Sequence, residues 1–191
     1  PDHPIRTADM QWTLNKSRDV LETVPFTVQA LDLKDNRTQK DLEHPFHRLK
    51  TPDWANIIAL TSDGQAVLVR QQRAGTLEYT CEVPGGVIDP GEDPKAAAIR
   101  ELEEETGYQC KSIEKIAQIN PNPAIMTNTL HMYLAKGCTL KENRELFPDK
   151  NEAIDVKLVP LDQLDQMIRK QEINSALAAL TVYISMPNWP E

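Results

Sequence analysis

Apolar and polar residues alternate most cleanly over residues 26–33, FTVQALDL, a period of two that predicts a strand. Shorter pieces of the same kind at 12–14, 20–23 and 46–49 predict a small antiparallel sheet early in the chain, with Asp35-Asn36 as a turn. Apolar runs at 57–61 and 66–70 flank Ser62-Asp63-Gly64-Gln65, and Asp-Gly between two such runs predicts a hairpin. Further strands are expected at 77–83, 112–119, 130–135 and 154–159, with a polar, irregular loop over 137–151. The pattern is helical in three places. Residues 94–106 form the first, and Leu161, Leu164, Met167 and Ile168 mark the second. The third is 176–185, capped by Asn174 or Ser175 and closed by Pro187.

The first helix is the unusual one. Asp93 is a good N-cap, Pro94 suits the first helical position, three alanines follow, and Gly107 is a natural stop. At ~100° per residue, Glu101 and Glu105 lie about 40° apart on one face, with Glu104 beside Glu101. Arg100 reaches Glu104 at i+4. Ile99, Leu102 and Thr106 fall on another side and can pack inward. Pro84-Gly85-Gly86 and Asp89-Pro90-Gly91 force a tight loop ahead of the helix, able to bring Glu92 and the Gly85 carbonyl toward the carboxylates.

Charge sharpens this picture. Residues 85–108 hold seven acids and two bases, more than half of the chain's net charge of −8. A solvated helix face is the common meaning of such a run, but so many crowded carboxylates repel one another unless a cation neutralises them. All-oxygen ligands suit a hard ion such as Mg²⁺ or Mn²⁺. The spacing decides between the two readings. Gly86, Glu92, Arg100, Glu101, Leu102, Glu104, Glu105, Gly107 and Tyr108 resemble the Nudix box, Gly-x5-Glu-x7-Arg-Glu-U-x-Glu-Glu-x-Gly-U, at every specified position.

The box covers 23 of 191 residues, so the rest of the likeness comes from its surroundings. N-terminal strands, then VRQQR, then EVPGG and the box, resemble the ADP-ribose pyrophosphatase branch of the family. That resemblance implies an α/β/α sandwich with a mixed sheet, carrying an N-terminal antiparallel subdomain over residues 10–50 before a hydrolase domain over 51–191. It implies Mg²⁺-dependent hydrolysis of a nucleoside diphosphate sugar. The implied metal ligands are Gly85 through its carbonyl, Glu101, Glu104 and Glu105, with Arg100 orienting Glu104. Arg73 and Arg70 become candidates for gripping substrate phosphate, and Glu82 for supporting the site. Trp12 and Phe26 are candidates for stacking on a base, although packing is the simpler role for both. Pro123, 16 residues past Gly107, matches a mark of the ADP-ribose branch. Thr127-Asn128 replaces the Ser-Glu pair usual there, which leaves room for other nucleoside diphosphate sugars. Glu152 is the first choice of general base and Glu145 the reserve. Lys150 stands where the family often has a second acid. His131 is read as structural. The N-terminal strands imply a homodimer.

Composition adds exclusions. The net charge of −8 argues against nucleic acid as a partner, and no apolar run reaches the ~18 residues of a membrane span. Cys81, Cys110 and Cys138 lack metal spacing and read as free thiols in a reducing cytoplasm. Residues 1–9 show no periodicity and read as an expression remnant ahead of Met10. The competing readings are a Nudix enzyme for nucleoside triphosphates, dinucleoside polyphosphates or coenzyme A, and a catalytically silent nucleotide sensor. The full acidic set argues against the sensor.

Overall fold

The computed structural model describes residues 10–142 and 153–189. The expected remnant 1–9 and the candidate bases Glu145 and Glu152 lie outside the described residues.

The chain forms two compact units. The first contains the described residues up to Pro52, together with Asn120–Asn128. Its strands β1 (Trp12–Glu22), β2 (Thr27–Asp35), β3 (Lys40–Asp41) and β4 (Phe46–Lys50) make an antiparallel sheet in which β2 pairs with the other three. The pieces expected at 12–14 and 20–23 are one strand. Pairing with β2 persists from Trp12 opposite Asp35 to Glu22 opposite Thr27, and irregularities at Leu14/Lys16 and Asp19/Leu21 absorb the polar stretch between them. Across this sheet Gln29 donates to Asp19 at 2.7 Å and accepts from Arg48 at 3.0 Å, so a buried amide is satisfied from both neighbouring strands. The loop Asn120–Asn128 joins the unit through Leu49 and Met126, which form a parallel bridge.

The described residues of the second unit hold an eight-stranded mixed sheet and three α-helices. Its strands are β5 (Trp54–Thr61), β6 (Gln65–Arg73), β7 (Glu78–Glu82), β8 (Gly85–Val87), β9 (Tyr108–Gln109), β10 (Ser112–Ile119), β11 (Leu130–Leu140) and β12 (Asp155–Pro160). The order is β10-β11-β5-β6-β12, with β7 beside β6, β8 beside β5 and β9 beside β11. Among the described strands of this sheet only β11 and β5 run parallel. Gly64, at φ 80°, makes the expected turn between β5 and β6.

Alternation along β5 and β6 sends successive side chains to opposite faces. Ile57, Ala59 and Val67 pack with Ala97, Ala98 and Leu102 of α1 (Pro94–Thr106). Ile58, Leu60 and Leu68 pack with Leu164 of α2 (Leu164–Arg169) and with Ala178 and Val182 of α3 (Ala176–Ser185). The result is a helix–sheet–helix sandwich. Truncating one of its fully buried leucines to alanine should cost about 2–5 kcal/mol. Two expectations change. β11 runs on through Leu140 rather than ending at 135, since Gly137 at φ 65° absorbs a register shift and lets pairing continue with β9. The first C-terminal helix opens as a 3-10 turn, Leu161–Gln163, and its α part is six residues long.

Candidate active site

Helix α1 spans the residues its sequence signals mark. The Asp93 carboxylate accepts from the backbone N–H groups of Lys95 at 3.0 Å and Ala96 at 3.1 Å, a cap whose loss typically costs about 1 kcal/mol. Gly107, at φ 73°, returns its N–H to the Glu103 carbonyl at 2.9 Å. Ala97, Ala98, Leu102 and Thr106 are buried, while Ile99 is half-buried. Glu105 is also buried, at 6% exposure.

Arg100 organises the carboxylates. Its Nη1 donates to Glu101 at 2.8 Å and Glu104 at 3.1 Å, and its Nε and Nη2 each donate to Glu92 at 3.0 Å. Nη2 also reaches the Val87 carbonyl at 3.1 Å. The Glu92 bonds, with help from Glu101 and Glu104, push the Arg100 pKa further above its ordinary value despite partial burial. Glu92 moves the other way, held down by Arg100 and by the Asp89 N–H at 3.0 Å. This loop residue therefore closes the turn at Asp89 and locks it to the helix. The arginine orients more than the expected Glu104, because three carboxylates share it.

Glu105 has a different anchor: its Oε2 accepts from the Gly85 N–H at 3.0 Å. Gly85 pairs with Asn56 on β5, and Asn56 in turn donates to Thr181 of α3 at 3.3 Å. The two glycines are spatial requirements. A Cβ on Gly86 would stand 2.5 Å from the Glu101 carboxylate, and one on Gly85 would meet the Ala55 carbonyl and Asn56. The carboxylates thus lie against the backbone of β8. Among the described residues no three His, Cys, Asp or Glu side chains close on one point. The donor chemistry nevertheless fits a hard divalent cation. Glu101, Glu104, Glu105 and the Gly85 carbonyl are all oxygen donors on two adjoining segments, and the single guanidinium at Arg100 leaves negative charge in excess.

The remaining candidates fall into separate groups. Arg73 and Glu82 form a two-pronged ion pair at 2.8 and 3.2 Å. Burial raises the Glu82 pKa, but Arg73 and the Thr80 and Ser175 hydroxyls outweigh it and hold the group below its ordinary value. Arg70 lies over the Tyr79 ring at 4.2 Å and 3.7 Å from Asp155. Trp12, Phe26 and Pro123 belong to the first unit. Trp12 packs on Phe46 with ring centroids 5.0 Å apart, Phe26 is half-buried, and Pro123 is exposed in a turn. His131 is buried with Nε2 3.6 Å from Asp53. Asn128 is buried with neither amide atom bonded within the protein, a feature that the sequence marked only as a departure from a family pattern. The three cysteines are free thiols, and burial pushes Cys138 up to about 12.

The NUDIX domain family model matches residues 50–180. A methanol dehydrogenase activator from Bacillus methanolicus is 31% identical over 159 residues, 83% of each chain. An ADP-ribose pyrophosphatase from Bacillus subtilis strain 168 is 33% identical over 135 residues, 70% of this chain and 72% of that one. Among solved structures, the crystal structure of an ADP compounds hydrolase has a TM-score of 0.81 at 22% identity, covering 93% of this chain and 94% of the other. That likeness is one of fold.

Proposed function

The chain belongs to the Nudix family, and from that premise we propose that it hydrolyses the pyrophosphate bond of nucleoside diphosphate sugars such as ADP-ribose. It is a pyrophosphohydrolase that uses a divalent metal, with Mg²⁺ the preferred ion and Mn²⁺ an acceptable one. The observation that carries the reading is the carboxylate set of α1 laid against Gly85 and Gly86, held by Arg100 and by a backbone N–H.

A diphosphate diester is anionic and repels a water nucleophile. The Gly85 carbonyl, Glu101, Glu104 and Glu105 would hold the metal, which supplies charge neutralisation and a more acidic water when bound. Arg100 keeps Glu101 and Glu104 in place before any ion arrives, a supporting role of the kind that tunes metal affinity. Arg73 meets the substrate phosphates, where a planar guanidinium can donate two parallel bonds. Arg70, engaged with Tyr79 and Asp155, plays a smaller part. Glu152, with Glu145 in reserve, takes the proton from the attacking water. The water oxygen joins one phosphorus and the bridging P–O bond breaks. The leaving phosphate keeps the bridging oxygen, so ADP-ribose and water give AMP and ribose 5-phosphate.

Asn128, an amide where the ADP-ribose branch has an acid, favours a substrate range that extends beyond ADP-ribose. The N-terminal strands, residues 10–50, form a dimerisation subdomain to which Trp12 and Phe26 contribute packing. Every side chain of β1 is exposed, including Trp12, Leu14, Val20 and Leu21, and a second copy of the chain would cover them. A cytoplasmic location fits the free thiols. No helix among the described residues is long and apolar enough to cross a membrane.

The test is a phosphate-release assay coupled to a phosphatase, run on ADP-ribose, other nucleoside diphosphate sugars, nucleoside triphosphates, dinucleoside polyphosphates and coenzyme A, with and without EDTA. EDTA-sensitive release from the diphosphate sugars is expected. Turnover confined to triphosphates, or none at all, contradicts the reading.

A further inference from the structure

We infer that Glu82 is a positioning residue that holds the guanidinium of Arg73 in the plane and direction needed to meet the substrate diphosphate, without itself touching substrate or metal. The inference rests on the phosphate-gripping role of Arg73 proposed above. Arg73 is the last residue of β6, where an arginine ordinarily samples many rotamers. Here Glu82 takes its Nε–Nη2 edge with two bonds, at 2.8 and 3.2 Å, which fixes the plane of the fork as one bond would not.

The anchor is firmer than the group it holds. The Glu82 side chain is 12% exposed against 43% for Arg73. The Thr80 hydroxyl donates to the same carboxylate from one strand position away on that face. The carboxylate stays ionised, since Arg73 and its hydroxyl partners outweigh burial. Register also puts Arg73 and Glu82 on one face of the sheet. Val67 packs with α1, and alternation along β6 puts Val69, Gln71 and Arg73 on that same face, with Val69 opposite Glu82. Three residues beyond Glu82, Gly85 donates to Glu105. One short run of chain therefore carries both the anchor of the arginine and the anchor of a carboxylate, and this coupling is built into β7 and the turn after it.

Steady-state kinetics on ADP-ribose with Mg²⁺ would compare the native chain, Arg73→Ala, Glu82→Gln and the double variant, with a thermal melt of each. Arg73→Ala is expected to lower kcat/KM about 30-fold, and Glu82→Gln about tenfold, chiefly through KM. The double variant should be no worse than Arg73→Ala within about twofold, because Glu82 acts through Arg73. Losses that multiply in the double variant, or an unaffected Glu82→Gln, would overturn the positioning role and leave the arginine's role standing. Near-normal Arg73→Ala would remove the arginine's role and this inference with it. If Glu82→Gln melts below the assay temperature, Glu82→Asp replaces it. Partial recovery of KM, lost in the Arg73→Ala background, is then expected, and recovery indifferent to Arg73 overturns the inference.

Discussion

Helix α1 and strand β1 solve opposite problems. In α1 and the loop before it, many polar groups are answered close by in sequence, although Glu105 is held from Gly85 and Glu103 from Lys141. Asp93 caps the helix, Glu92 closes the turn at Asp89, Gly107 ends the helix, and Arg100 binds Glu92, Glu101 and Glu104. β1 has eleven residues, all exposed, and its polar anchors all lie far off in sequence: Thr13 donates to Asn36 at 2.8 Å, Asn15 to Asp41 at 2.8 Å and Arg18 to Asp32 at 2.9 Å, while Asp19 accepts from Gln29 at 2.7 Å. An exposed ion pair like Arg18–Asp32 contributes about 0–1 kcal/mol. One region concentrates charge, which Arg100 answers only in part; the other shows apolar side chains that its own unit does not cover. The lesson is that much of the carboxylate cluster is arranged by residues a turn or a short loop away, while the apolar side chains of β1 are left exposed by the fold.

The largest effect that could break this contrast is Gly86→Ala. The added methyl group would displace the Glu101 carboxylate, and a loss of about 100-fold in kcat/KM is expected with the fold retained in a circular dichroism melt. Activity within threefold would mean that the carboxylate's position against β8 is not needed. A smaller effect concerns acid stability. Glu82 and Glu92 have folded pKa values below the ordinary 4.5, so their contribution is fully present above that pH and is lost as pH falls through the lowered values. Denaturant midpoints should therefore fall on acidification below about pH 4.5, and less steeply for Glu82→Gln; parallel slopes would contradict the assignment. The smallest effect on chemistry belongs to β1. Light scattering should give a two-subunit mass, Val20→Glu should reduce it toward one subunit, and a native monomer would contradict the dimerisation role proposed for these strands.

Legibility in the sequence followed the same divide. The limits of α1 and α3 were readable because caps, proline and glycine act within a few residues. The Asp63-Gly64 hairpin was readable for the same reason. β1 shows two separate patches of alternation because a polar run, residues 15–19, parts them and register shifts fall between Leu14 and Lys16 and between Asp19 and Leu21; pairing with β2 joins them. The parallel pairing of β11 with β5 leaves no local mark, since it joins segments more than seventy residues apart. At the site, residue spacing foretold that Arg100 meets Glu104. It did not foretell that Glu92 and Glu101 share the same guanidinium, nor that Arg73 reaches Glu82, because both depend on how loop and strand fold back. Asn128 was visible only as a substitution in a pattern. Its burial without a protein partner needed the three-dimensional surroundings.

The proposed chemistry needs the carboxylates of α1 to serve a metal, and Glu105 is the most buried of them. The most direct measurement is ADP-ribose hydrolysis by Glu105→Gln across a Mg²⁺ titration, beside the native chain and a thermal melt. The amide can still accept from the Gly85 N–H, so the melt should barely move. Turnover is expected to fall at least about 100-fold at fixed Mg²⁺, ~2.7 kcal/mol in the barrier, with the half-saturating Mg²⁺ concentration raised. Near-normal turnover with an unchanged Mg²⁺ dependence would contradict the account.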